Sequence, residues 1–224
     1  LVSLPEPRPG DLFLDLEGDP FAFDDGIDYL FGVLELRPGG EETFHAFWSR
    51  EADGRVTLAG EKRAFEQTID LIMDRLRADP EIHVYHYASY ERTAFGRLMG
   101  RHATREAEVD SIFRTGVLVD LYRIVQQSLI ASVESYSIKK LEPFYGYVRN
   151  HDLRDANSSI VAFETWLEGG GEGGAAEELL HGIQEYNEDD VRSTWWLRGW
   201  LETLRLELAA SIGEDVPRPA KEPE

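Results

Sequence analysis

Four stretches of the chain carry carboxylates where their type and spacing could do chemistry. In DLFLDLE, residues 11–17, strict alternation marks a β-strand. Leu12, Leu14 and Leu16 then face one way, and Phe13, Asp15 and Glu17 the other. Asp15 and Glu17 are two apart on that strand, so their Cα atoms lie roughly 7 Å apart on a shared face. Two carboxylates this close repel unless something positive sits between them. A hard divalent cation such as Mg²⁺ or Mn²⁺, with oxygen ligands, does that. Taken alone, the pair also reads as two solvated acids at the exposed end of a strand. In YHYASYERTAF, Glu91 falls in the first turn of a helix after a strand, where the helix dipole by itself favours an acid. Asp120 in VDLY follows a short strand in the same way and has the same ordinary reading. In EYNEDDVRST, Tyr186 and Asp190 are four apart and share a helical face. There Asn187 with Asp190 also resembles a helix cap with its third-position acid.

The elements that must position these residues follow from periodicity. Strands are expected over 11–17, 28–36 and 42–48, the last two joined by a Pro-Gly-Gly turn. Phe65, Ile69, Ile72 and Leu76 share a face of a helix over 60–78. A strand over 81–87 and a helix from an N-cap at Ser89 to Arg101 come next. Residues 116–121 read as a short strand or a strand-to-helix junction. Helices are expected near 120–131, 137–146, 158–168 and 175–211, with the glycine-rich run 169–174 as a connector. Trp195, Trp196 and Trp200 lie on the last helix, where Trp196 and Trp200 share a face and are expected in the core. This order is the one expected of a ribonuclease H-like α/β fold. Its sheet is a central mixed one of five strands, three antiparallel and then parallel ones, flanked by helices. The domain is expected over 11–212, with 1–10 as an entry linker and 213–224 as a Pro-rich C-terminal linker.

Composition narrows the classes. The chain has no cysteine, which excludes disulfides, thiolate zinc sites and thiol nucleophiles and agrees with a cytoplasmic location. No apolar run is long enough to span a bilayer. The formal net charge is −20, an awkward value for a protein that binds phosphates. Three readings are open: acids as a solubility device on a far face, acids neutralised by bound cations, or a basic surface on another domain. The start at Leu1 and the ending RPAKEPE suggest a segment of a longer polypeptide.

As an ordered set, DLE on the first strand, an acid after a later strand and Tyr-x-x-x-Asp near the end resemble the DEDDy 3′–5′ exonucleases. The surrounding text, DLFLDLEGDPF, HVYHYASYERTAF, VDLYRIVQQSL, SYSIKKLEPFYG and YNEDDVRSTWWLRGWL, is similar to the ribonuclease H-like domain of RecB-family nucleases. There the domain usually precedes a superfamily 1 helicase. The resemblance implies a two-metal Mg²⁺ or Mn²⁺ site acting on DNA or RNA. Asp15 would bridge both ions, and Glu17 would bind one and orient the attacking water. Asp190 would be the last ligand, and Tyr186 would position that water or help deprotonate it. The chain departs from the pattern at the second motif. Glu91 stands where the family has Asp, and His86 stands where it has Asn. Either Glu91 ligates with adjusted geometry or the outer metal site is weak, and Asp120 is then the reserve ligand. His86, Lys139 and Lys140 are candidate contacts to substrate; each also reads as an ordinary structural histidine or solvated lysine.

Other chemistries find less support. His45, His83 and His86 have no short metal spacing. The glycine run lacks the Gly-Lys-Ser/Thr of a nucleotide loop, and no nucleophile elbow is visible. An endonuclease core of the acid-x-Lys type is not found in a strand context. A non-catalytic module that binds nucleic acid or docks a helicase stays open, favoured by Glu91 and by the charge.

Overall fold

The computed structural model describes residues 1–37, 39–149, 156–169 and 174–219. Five strands form one mixed sheet in the order β3-β2-β1-β4-β5. They are β1 (Leu12–Asp19), β2 (Ile27–Leu36), β3 (Glu42–Trp48), β4 (Val84–His86) and β5 (Leu118–Asp120). The first three form an antiparallel meander, and β4 pairs parallel to β1 and to β5.

The alternation in β1 does what its pattern requires. Leu12, Leu14 and Leu16 pack against Phe65, Ile69 and Ile72 of α1 (Leu58–Ala78) and Phe95 and Leu98 of α2 (Tyr90–His102). Phe13 turns to the opposite face, stacked on Tyr85 with centroids 5.2 Å apart. It packs there with α4 (Leu121–Ser128), α5 (Ile138–Tyr145) and α7 (Gly174–Ile212). The sheet is thus covered on both faces, and α6 (Ala156–Glu168) packs with α7 beside β2.

A helix over residues 106–114 does not follow from the periodicity read above. This α3 (Glu106–Arg114) starts from Arg105 in the left-handed region, φ 53°, with no side-chain cap, and buries only Val109 and Ile112. It is too short and its apolar pair too sparse to stand out. Its one usable signal is charge: acids in the first turn and Arg114 in the last, as the helix dipole favours. Ser89 takes the N-cap position of α2 without a side-chain cap bond. Asn187 and Asp190 lie inside the long α7, not at its start. Trp195 and Trp200 pack against the core, but Trp196 is 48% exposed and sits edge-on to Tyr147. The core face of α7 runs instead through Val191, Leu197 and Leu201.

The terminal segments expected as linkers pack onto the domain where they are described. Leu4 and Val216 are buried, and Arg218 bonds the carbonyls of Leu4 and Pro5 and the carboxylate of Glu202. Most of the glycine connector lies outside the described residues, as do 220–224. Among the described residues no helix is long and apolar enough to cross a membrane.

Candidate metal centre

The sheet brings three of the acids together. Asp15 and Glu17 on β1 and Asp190 on α7 each offer a carboxylate oxygen, and the three oxygens lie within 4.8 Å of one another. A glycine lets this happen, and a second one makes room for the neighbouring acid network. Gly32 pairs with Asp15 across β1 and β2, and a methyl there would run into the Asn187 side chain. Its absence lets α7 close on the sheet, so the Asn187 amide donates to Asp15 Oδ2 at 2.7 Å and to the Asp15 carbonyl at 3.2 Å. Gly18 follows Glu17 at a register shift, where a Cβ would collide with the Tyr90 hydroxyl and the Asp28 carboxylate.

Each carboxylate is held from behind. Ser159 Oγ donates to Glu17 Oε2 at 2.8 Å and is itself bonded to the Tyr29 hydroxyl. Arg149 Nη2 lies 2.5 Å from Asp190 Oδ1 and 2.6 Å from Glu142 Oε1. Lys139 Nζ donates to the Tyr186 hydroxyl at 2.7 Å and stands 4.3 Å over the centre of the same ring. Ser159 and Arg149 are not singled out by sequence, and Asn187 is read there only as a helix cap. Gly32, a lone glycine inside an apolar strand, is the signal that could have pointed to Asn187, since such a glycine marks close approach of another chain segment.

The remaining sequence candidates lie around this cluster. Glu91 is buried with its Oε2 3.1 Å from His86 Nδ1, and both residues are 2% exposed. Its charge still reaches Asp15. Asp120 caps α4 through the amides of Tyr122 and Arg123, and also accepts from the Ala88 amide. Lys140 is exposed and 3.3 Å from Glu134. His45 and His83 are paired with Glu35 and Asp11.

Electrostatically the cluster is strained. Burial, and then the neighbouring carboxylates Asp190 and Glu17, push the Asp15 carboxyl well above the usual carboxylate range. Burial, followed by Asp190, pushes Glu17 up to about 8. Burial also raises Asp190 against the pull of Arg149 and Lys139. Three like charges converging in a half-buried site hold protons unless a cation shares them. The donor set is all oxygen, anionic and convergent, which suits a hard divalent cation. The residues therefore fit a metal.

A family model described as RNase_H superfamily matches residues 12–202. With the sheet order and the acidic cluster in place, the chain belongs to the RNase H superfamily. That superfamily generally comprises metal-dependent nucleases, and the cluster is compatible with such a site. No curated protein matches the chain.

Proposed function

We propose that this domain is a metal-dependent 3′–5′ exonuclease acting on single-stranded DNA or RNA. The observation that carries the reading is the convergence of Asp15, Glu17 and Asp190 oxygens within 4.8 Å beside the Tyr186 hydroxyl and its lysine. Asp15, Glu17 and Asp190 would hold Mg²⁺ or Mn²⁺, with Glu91 as the second-motif acid one step behind Asp15 and Asp120 in reserve. Divalent ions bound there supply a more acidic water and screen the charge that builds on the phosphate.

The other steps belong to the chain. Burial and the neighbouring carboxylates hold the Tyr186 phenol well above its ordinary range, so it stays protonated. Its oxygen accepts from Lys139, and a phenol held protonated is suited to orienting a water or a phosphate oxygen rather than to taking a proton. Lys139 adds positive charge beside the scissile phosphate, with His86 and Lys140 as outer contacts. The loop after Glu17 supports a single-stranded substrate. Phe21 is 84% exposed there, and Phe23 is 45% exposed at φ 58°, a strained conformation for a bulky residue. Exposed aromatic rings beside a phosphate-cleaving site suit stacking on unpaired bases. The similarity to RecB-family nucleases adds a superfamily 1 helicase in the same polypeptide to the proposal.

The test is shortening of a 5′-labelled single strand by the purified protein in Mn²⁺. Asp15→Ala should bring degradation to background, and robust degradation by that variant sinks the assignment. One observation favours a second reading, a non-catalytic nucleic-acid-binding module: Glu91 is engaged by His86 instead of joining the three-oxygen cluster. Calorimetry with no heat of Mn²⁺ or Mg²⁺ binding would select that reading.

A further inference from the structure

A groove of about 1330 Å³ runs along the free edge of β5. Its walls come from α2, α3 and the turn at Thr115 and Gly116 on one side, and from the start of α4 on the other. One end reaches the last turn of α1. The other reaches His86, Ala88 and Asp120, where β4 and β5 stop. Because β1, β4 and β5 run parallel, this is the same end of the sheet that carries Asp15 and Glu17.

The groove inverts the charge of the molecule. The chain has 43 acidic and 23 basic residues. The groove is lined by Arg77, Arg92, Arg114 and Arg123 against Glu81 and Asp120. The Asp120 carboxylate is already engaged by three backbone amides. Arg77 and Arg114 are paired with Asp74 and Asp110. Arg92 and Arg123 are different: both are exposed, and neither forms an ion pair among the described residues. The Arg92 guanidinium is held 4.1 Å over the Phe113 ring. The two stand on the first turns of α2 and α4, near the end of the groove closest to the carboxylates. Tyr122 lines the same end and offers a ring for a base.

We infer that this groove carries the sugar-phosphate backbone of a single nucleic-acid strand to the carboxylate cluster, with Arg92 and Arg123 as its phosphate contacts. The inference rests on the nuclease reading above and names the path its substrate takes. Planar guanidinium forks match phosphate oxygens. A peptide adding to the β5 edge is the weaker fit, because that edge is only three residues long.

The experiment is fluorescence anisotropy of a labelled 20-nucleotide single strand, with the full chain in EDTA and over a range of salt. Arg92→Gln/Arg123→Gln should bind about tenfold or more weaker, with a log–log salt slope shallower by about 1.4 for two lost phosphate contacts. Arg55→Gln, at an exposed arginine outside the groove, should bind like the wild type. Mn²⁺ binding by calorimetry should be the same in all three proteins. Equal affinity of the double variant and wild type overturns the inference. So does an equal loss in the Arg55 control, or no binding by the wild type. Loss of binding to polyglutamate with the oligonucleotide retained would also overturn it, in favour of an acidic peptide. If the strand binds through Arg92 and Arg123 but is not cut, the nuclease reading fails and the groove stands. If it is cut in an Asp15-dependent way and the double variant binds normally, the groove alone fails.

Discussion

Two groups of carboxylates lie on opposite sides of the bulge after Glu17, one fully buried and one half-buried around a buried Glu17, and they are built on opposite principles. On one side Asp28 and Glu61, both fully buried, are matched by cations. Arg97 Nη2 lies 2.5 Å from Asp28 Oδ2. Arg101 Nη1 lies 3.1 Å from Glu61 Oε2, and His102 Nε2 lies 2.7 Å from the same oxygen. The Asp28 amide and the Tyr90 hydroxyl complete the network. On the other side Asp15, Glu17 and Asp190 converge on one another, with Arg149 directly on one of the three. The first group meets its charges with cations, although burial still raises the Asp28 carboxyl, and it ties α1 and α2 to the sheet. The second leaves negative charge unmatched where a cation would complete it. The balance of charge around the acids separates the structural group from the functional one.

The largest expected effect tests the balanced side. Arg101→Met leaves Glu61 with one less cation and should cost about 3–5 kcal/mol of stability in a denaturant titration. A loss under 1 kcal/mol would show that the network is not balanced as described. Next, Gly32→Ala should cost about 1–3 kcal/mol by forcing α7 off the sheet. It should also weaken Mn²⁺ binding measured by calorimetry, since Asn187 then loses its hold on Asp15.

The unbalanced side should respond with the opposite sign. Glu17→Gln keeps an acceptor for Ser159 and, unlike Glu17, needs no proton taken up on folding at neutral pH. It should raise the stability of the metal-free protein by about 1 kcal/mol while weakening Mn²⁺ binding. A stability loss of similar size would break the comparison. The pH dependence follows from the same residue. The Glu17 carboxyl is raised from 4.5 to about 8, so the folded state holds this proton more tightly than the unfolded chain does. Its contribution to stability is complete below about pH 4.5 and is lost as pH rises through about 8. Melting temperatures of the metal-free protein should fall over that window for the wild type, and less for Glu17→Gln. Mn²⁺ should flatten the fall, since deprotonated carboxylates bind it best. The smallest effect separates two adjacent lysines. Lys139→Gln should reduce hydrolysis more than Lys140→Gln, and the latter should move stability by less than about 0.5 kcal/mol because its ammonium is exposed.

Much of this protein was determined by local pattern. Period-two alternation assigns Asp15 and Glu17 to the face opposite Leu12, Leu14 and Leu16, because successive strand side chains point to opposite sides. Four-residue spacing puts Tyr186 beside Asp190 on α7. Helical periodicity marks α1 and α2, and α3 escapes it because Val109 and Ile112 alone make no stripe. What only the tertiary structure decided is how the pieces meet. Residues 172 apart in sequence join when Asn187 bonds Asp15, and the space for it comes from a missing side chain at Gly32. Ser159 and Arg149 reach Glu17 and Asp190 from segments whose local sequence carries no sign of it. Glu91 turned to His86, and Asp120 to three backbone amides, so two acids that resemble ligands by spacing serve other contacts in this structure. The physical reason is that dihedral preference and hydrophobic period act over a few residues, whereas charge balance depends on every group within several ångströms, whatever its place in the chain.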